Sequence, residues 1–120
     1  MQEKILVVDD DAMNLVRTKK ILDKMYNIFL AESGSEALDI LEEQDIDLVL
    51  LDIEMPGMNG IETFRRMQRF PVKVPVIFLT ASGDEEDVMN AIKLGAANYL
   101  KKPFFPQELL KRVAKELGRQ

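Results

Sequence analysis

The sequence predicts an α/β domain: a doubly wound, five-stranded parallel sheet with helices on both faces. Three observations lead there. Short apolar runs recur along the chain, each bounded by polar, Pro or Gly residues, as strands buried on both faces do. Stretches with apolar residues at helical spacing alternate with them, so that a strand–helix unit occurs five times with short connections. Such alternation gives a parallel sheet with right-handed crossovers, for which 2-1-3-4-5 is the common five-stranded order. Finally, the run Leu48 to Leu51 ends abruptly in a carboxylate, Asp52, and the breakers Pro56, Gly57 and Gly60 follow. Ligands of open α/β sheets bind beyond the carboxyl ends of the strands, so Asp52 stands where a site is expected.

Taken in order, Lys4 to Val8 is the first strand and runs into Asp9-Asp10-Asp11. A helix follows to about Lys24, with Leu15, Leu22 and Met25 inward and Arg17, Lys19 and Lys20 outward. Asn27 to Ala31 is the second strand. Ser33, with Glu36 three residues on, has capping-box form and opens a helix carrying Ala37, Leu38, Ile40 and Leu41. Asp47 to Asp52 is the third strand. Beyond the Pro/Gly loop, Ile61, Phe64 and Met67 keep helical spacing as far as Arg69, where Phe70-Pro71 stops it. Val74 to Thr80 is the fourth strand, with Pro75 at its beginning, where a missing N–H is tolerated. Asp84, Glu85, Glu86 and Asp87 crowd acids into the first turn of the next helix, where the macrodipole favours them. Its predicted inner face is Val88, Ala91 and Ile92, and Gly95 ends it. Ala96 to Lys101 is the fifth strand. Pro103 and Pro106 bracket a turn, and Leu109, Leu110, Val113 and Leu117 mark the last helix.

Composition narrows the chemistry. At 120 residues the chain has the size of one domain, and residues 1–120 are expected to form it. Cys and His are both absent, which removes disulfides, thiolate metal sites, and the commonest general base and metal ligand. Any metal must be held by oxygen, which favours a hard cation such as Mg²⁺. The net charge of −5 argues against direct contact with nucleic acid, which depends on basic residues neutralising phosphates. No apolar run approaches the length of a membrane span, and the first strand begins too early to leave room for a signal peptide. A cytoplasmic location is expected.

In a parallel sheet all strand ends of one kind lie along one edge. That edge would collect Asp9 and Asp10 from strand 1, Asp52 from strand 3, Thr80 from strand 4, and Lys101–Lys102 from strand 5. Taken singly, each has a plain structural reading: a helix cap, a turn residue, a strand-end hydroxyl, a solvated charge. Those readings leave their common edge unexplained. Carboxylates so close repel unless a cation intervenes, and Mg²⁺ suits them. Asp52 can then serve as an oxygen nucleophile that accepts a phosphoryl group, with one Lys and one Thr hydroxyl neutralising its oxygens. Three carboxylates, one Mg²⁺ and one Lys⁺ sum to zero, and the acyl phosphate then adds about one negative charge, enough to bias a neighbouring loop.

Four motifs in this order resemble the receiver domain of bacterial two-component response regulators. They are Ile5-Leu6-Val7-Val8-Asp9-Asp10, Leu51-Asp52-Ile53-Glu54-Met55-Pro56-Gly57-Met58-Asn59-Gly60, Val76-Ile77-Phe78-Leu79-Thr80-Ala81, and Gly95-Ala96-Ala97-Asn98-Tyr99-Leu100-Lys101-Lys102-Pro103-Phe104. The resemblance covers essentially the whole chain and implies a flavodoxin-like, chemotaxis-regulator-like fold. It further implies that Asp52 takes a phosphoryl group from a phosphohistidine on a sensor histidine kinase or phosphotransfer protein. Asp9 and Asp10 would set up the Mg²⁺ site, with Asp10, Asp52 and the Glu54 backbone carbonyl as direct ligands. Thr80 and Lys102 would bind phosphoryl oxygens. Lys102, rather than Lys101, fits because it precedes Pro103-Phe104, and that Lys–Pro bond is typically cis in the family. Tyr99 would be the aromatic switch, turning into space that Thr80 vacates and remodelling the helix 4–strand 5–helix 5 face toward an output partner or domain. Such a protein assists its own phosphorylation and dephosphorylation and is not a turnover enzyme.

Alternative readings fit less of the chain. A haloacid-dehalogenase-type phosphatase resembles a pattern with a second Asp two residues after the nucleophile, where this chain has Glu54. A flavodoxin-like carrier of FMN would need a Ser/Thr/Gly-rich phosphate loop where Asp9-Asp10-Asp11 stands. A receiver that interacts without being phosphorylated would have no use for the acids, Thr80 and Lys102 together. Glu54 is expected to repel anionic donors or attacking hydroxide and so to tune phosphoryl lifetime. Asp11 is expected to cap the first helix, and Ser82-Gly83 lies close to the site.

Overall fold

The computed structural model describes residues 2–81 and 85–118, and of residues 85 and 87 the backbone only. Strand β1 (Lys4–Val8) leads to α1 (Ala12–Leu22), β2 (Asn27–Ala31) to α2 (Gly34–Glu43), and β3 (Leu48–Asp52) to α3 (Gly60–Met67). Strand β4 (Val76–Thr80) leads to α4 (Glu85–Lys93), and β5 (Asn98–Lys101) to α5 (Pro106–Glu116). The five strands pair in parallel in the order β2-β1-β3-β4-β5, as predicted.

Residue alternation along the strands divides the core into two layers. Ile5 and Val7, Leu48 and Leu50, Ile77 and Leu79, and Leu100 pack with Leu15 and Leu22 of α1 and Leu109 and Val113 of α5. Leu6 and Val8, Val49 and Leu51, and Val76 and Phe78 face Ala37, Phe64, Met67 and Ala91 of α2, α3 and α4. Phe64 and Phe78 meet edge to face at 5.4 Å between ring centres. β3 is buried along its whole length, which is why it reads as an unbroken apolar run in the sequence.

Short-range signals set the helix starts. Asp11 accepts hydrogen bonds from the Met13 and Asn14 amides and caps α1, the role expected of it. Ser33 Oγ accepts from the Glu36 amide at 3.1 Å and caps α2, and Asn59 does the same for α3 through the Glu62 amide. Other expectations fail where the tertiary fold intervenes. Met25 is 46% exposed rather than inward, because α1 stops at Leu22 and the turn delivers Tyr26 to the core instead. Ile92 is 52% exposed, leaving Ala91 as the buried contact of α4. Arg69 lies beyond α3, which ends at Met67, and β4 and β5 begin at Val76 and Asn98, two residues later than expected in each case. The expectations for Ser82-Gly83 and for Asp84 in the first turn of α4 lie outside the described residues, as do those for the side chains of residues 85 and 87. Among the described residues no helix is long and apolar enough to cross a membrane.

Candidate functional site

Sheet register brings the strand ends to one level. Val8 pairs with Leu51 and Asp52 with Leu79, so Asp9, one residue past Val8, lies level with Asp52. Thr80 pairs with Lys101, and the Lys102 amide donates to the Thr80 carbonyl at 2.7 Å. The alternation also sorts these residues by face. Asp9 continues the series of Ile5 and Val7, Asp52 that of Leu48 and Leu50, and Lys102 that of Leu100, all belonging to the α1/α5 layer. Thr80 continues Val76 and Phe78 on the opposite layer, and Tyr99, paired with Phe78, stands diagonally from it on that same layer.

The consequence is a buried ionic centre. Lys102 Nζ donates to Asp9 Oδ2 at 2.8 Å and lies 3.5 Å from Asp52 Oδ1. The other Asp9 oxygen accepts from the Asp11 amide at 2.9 Å, which ties the carboxylate to the β1–α1 turn. Asp9 and Asp52 are both buried, whereas Asp10 is exposed. Carboxylate oxygens of Asp9, Asp10 and Asp52 lie within 4.8 Å of one another, close enough to hold one cation. An all-oxygen acidic set of this kind fits a hard divalent ion. Lys102–Pro103 is a cis peptide, as the resemblance implies.

Charge balance at the centre is incomplete without a cation. Burial pushes the Asp52 carboxyl up from its ordinary 3.8 to about 7, the neighbouring Asp9 and Glu54 charges push the same way, and Lys102 opposes them. For Lys102, burial works against the charged form, but the hydrogen bond to Asp9 and the charge of Asp52 outweigh it and hold the ammonium above its usual range. One lysine thus serves two buried acids, and Asp10 and Glu54 add further negative charge around them.

On the other side of Asp52 the geometry holds a contact not anticipated from the sequence. Thr80 is buried, and its Oγ1 donates to Glu54 Oε1 at 2.8 Å. Gly60, at the start of α3, packs so closely on β3 that a Cβ there would drive into the Asp52 carbonyl oxygen, and its amide donates to Ile53 at 3.0 Å. A cavity of about 780 Å³ opens beside Asp9 and Lys102, walled by Asn14, Arg17 and Ile21 of α1 and by Phe104.

Residues 5–114 match the family model of the response regulator receiver domain. The chain belongs to this family. The transcriptional regulatory protein CpxR of Escherichia coli K12 is 43% identical over 117 residues, which cover 97% of this chain and 50% of CpxR. The chain spans about half the length of the curated relatives it matches. Among solved structures, the CheY-like receiver domain protein of Methanospirillum hungatei JF-1 superposes with a TM-score of 0.92 at 30% identity, covering 98% of this chain and 95% of that one. The beryllofluoride-activated receiver domain of DrrB, a response regulator of Thermotoga maritima, superposes at 0.90 with 34% identity, covering 99% and 100%. Receiver domains belong to two-component signalling proteins and are not turnover enzymes.

The receiver's six candidate residues sit as follows. Asp9, Asp10, Asp52 and Lys102 form one cluster, Thr80 flanks it through Glu54, and Tyr99 lies one strand away and is 38% exposed. Gly60 is the participant that sequence reasoning did not assign, and the Glu54 side chain, expected near the site as a repelling charge, makes a contact with Thr80 that was not anticipated. For Gly60 the signal was present, a glycine eight residues past the candidate nucleophile at the start of the next helix. For the Glu54 contact none was, since Thr80 lies 26 residues away.

Proposed function

We propose that the chain is a phosphoacceptor receiver, a single domain over residues 1–120. It takes a phosphoryl group from the phosphohistidine of a sensor kinase or phosphotransfer protein onto Asp52, in a Mg²⁺-dependent reaction. The observation that carries this reading is the grouping of Asp9, Asp10 and Asp52 carboxylates around one point, with Lys102 Nζ against two of them. An Asp52 oxygen attacks phosphorus, the P–N bond to the donor ring, protonated on its other nitrogen, breaks, and the electron pair returns to the ring, which leaves as neutral imidazole. Such a transfer asks a protein chiefly for positioning and for neutralisation of the phosphoryl oxygens. Asp10, Asp52 and the Glu54 backbone carbonyl would hold Mg²⁺, with Asp9 orienting the set, and the ion would supply neutralising charge to those oxygens. Lys102 exchanges part of its pairing with Asp9 for a phosphoryl oxygen, and the Thr80 hydroxyl donates to another. The cavity between α1 and Phe104 lies beside Lys102 and gives a donor side chain an approach.

Movement of Thr80 toward the phosphoryl group would open space for Tyr99, its diagonal neighbour on the sheet, and so remodel the α4–β5–α5 face. That face would act on an output partner or module. CpxR is a transcriptional regulator by name, and an analogous output is the natural counterpart here. This domain itself, with its net charge of −5, would touch neither nucleic acid nor membrane and would work in the cytoplasm.

Intact-protein mass after incubation with acetyl phosphate and Mg²⁺ tests the reading. The wild type is expected to gain one phosphoryl group, and the gain should vanish with EDTA or in Asp52→Asn. No gain from either acetyl phosphate or a phosphohistidine donor, in a folded protein, would refute it.

A further inference from the structure

Charge is unevenly spread over this molecule. Residues 25–64 include no lysine or arginine, and α2 with the turn after it exposes six acids: Glu36, Asp39, Glu42, Glu43, Asp45 and Asp47. Arg65, Arg66 and Arg69 follow, exposed on α3 and just past its end. α2 packs beside α3, so the two sets share one side of the sheet. They do not neutralise each other. Among the described residues none of these acids forms an ion pair, Arg66 meets Glu62 at 3.2 Å, and Arg65 and Arg69 have no acidic partner.

Between the ends of α2 and α3, where β3 and β4 begin, lies a groove of about 690 Å³. Ile46, Phe70 and Val74 make it apolar, Glu42 and Asp45 border it from the α2 end, and Arg69 borders it from the α3 end. Val72 also lines it and is 73% exposed. Arg69 joins this groove to a second depression of about 410 Å³ that Arg65 and Arg66 line. Acidic, apolar and basic ground thus form one continuous surface. A partner of either sign alone would be repelled by half of it. A second copy turned about a two-fold axis is not, because such an axis sets each patch against the opposite patch of its mate. The apolar middle with charged borders also has the anatomy of an interface.

We propose that the α2–α3 face is a self-complementary interface through which two copies of this chain associate, the α2 acids of each facing the α3 arginines of the other across the Val72 groove. The groove lies at the opposite sheet edge from Asp52, which ends β3. Association therefore needs no phosphoryl group, leaves the α4–β5–α5 face open, and stands apart from the phosphoacceptor reading. An interface carried by exposed charges is weak and sensitive to salt.

Sedimentation equilibrium of the unphosphorylated chain, from about 10 μM to about 1 mM at low salt, measures it. A monomer–dimer equilibrium is expected, weakened at least about threefold by about 0.5 M salt. Glu42→Lys/Asp45→Lys turns the acidic border basic, and Arg65→Glu/Arg69→Glu turns the basic border acidic. Each change counts twice across a two-fold axis, so each variant alone is expected to self-associate at least about tenfold more weakly. Mixed together, the two are expected to form a one-to-one dimer at least as tight as that of the wild type, since opposite borders then meet. The substituted residues are exposed, and one chain carrying all four substitutions is expected to self-associate again, which controls for misfolding. A wild type that stays monomeric throughout overturns the proposal and leaves the groove to a partner of another sequence. Undiminished dimerisation by either reversed variant, a mixture that fails to pair, or a dimer seen only with beryllofluoride and Mg²⁺ overturns it equally.

Discussion

The two sides of Asp52 are built on different principles. Toward α1 and α5, a lysine reaches from the end of β5 into a pair of buried acids, 93 residues away from Asp9 in the chain. Toward α4, the Thr80 hydroxyl donates to the exposed Glu54 carboxylate. The first side is an ionic unit whose lysine cannot leave without exposing unpaired buried acids, which is costly. The second includes a hydrogen bond from a buried hydroxyl to an exposed carboxylate, which is worth less than a buried ion pair. On the proposed phosphoacceptor reading the ionic side supplies architecture, and the hydroxyl side supplies a contact nearer to solvent.

The comparison can be broken from its stronger side first. Lys102→Met should leave Asp9 and Asp52 facing each other without compensation and cost about 2 to 3 kcal/mol at pH 8 in metal-free buffer. That is less than a fully buried pair because the Lys102 side chain is 19% exposed. Urea unfolding reads this directly, and Mg²⁺ should recover part of the loss. An effect no larger than that of a surface lysine would remove the architectural role.

The pH dependence sharpens the same point. The Asp52 carboxyl titrates at about 7 in the folded metal-free chain and near 3.8 when unfolded. Between those values the folded state holds a proton that the unfolded state has lost, so this group's contribution favours folding below pH 4 and is lost as pH rises through 7. Asp52→Asn should flatten that part of the stability profile and be the more stable protein at pH 8. Saturating Mg²⁺ should flatten the wild-type profile in the same way. Parallel profiles for wild type and variant would show that Asp52 is not strained by its surroundings.

The smallest effect belongs to the hydroxyl side. Glu54→Ala should change folding stability by less than about 0.5 kcal/mol, as exposed side chains do, read by the same urea unfolding. A stability loss comparable to that of Lys102→Met would mean that the two sides do not differ in kind.

Much of this was legible in the sequence because the signals are local. A strand buried on both faces must be apolar throughout, and Leu48 to Leu51 could be read as such without knowing its neighbours. Asp11 was identifiable as a helix cap because its partners, the Met13 and Asn14 amides, are two and three residues away. Tyr26 in place of Met25 was not legible, since the point where α1 unwinds decides which of two adjacent residues turns inward. Ile92 lies on a face of α4 left exposed, a matter of how that helix tilts on the sheet rather than of its own periodicity.

The sequence by itself determined which residues end the strands, and parallel topology required those ends to share one edge. Apolar runs, helix periodicity and caps depend on neighbours within a few residues, so the order of amino acids suffices for them. Only the tertiary structure decided how the ends pair. Register and alternation put Asp9, Asp52 and Lys102 on one layer and Thr80 on the other. The close approach of Gly60 to β3 and the reach of the Glu54 side chain set the remaining contacts. These pairings join residues far apart in the chain, and their distances exist only once the sheet has closed its register.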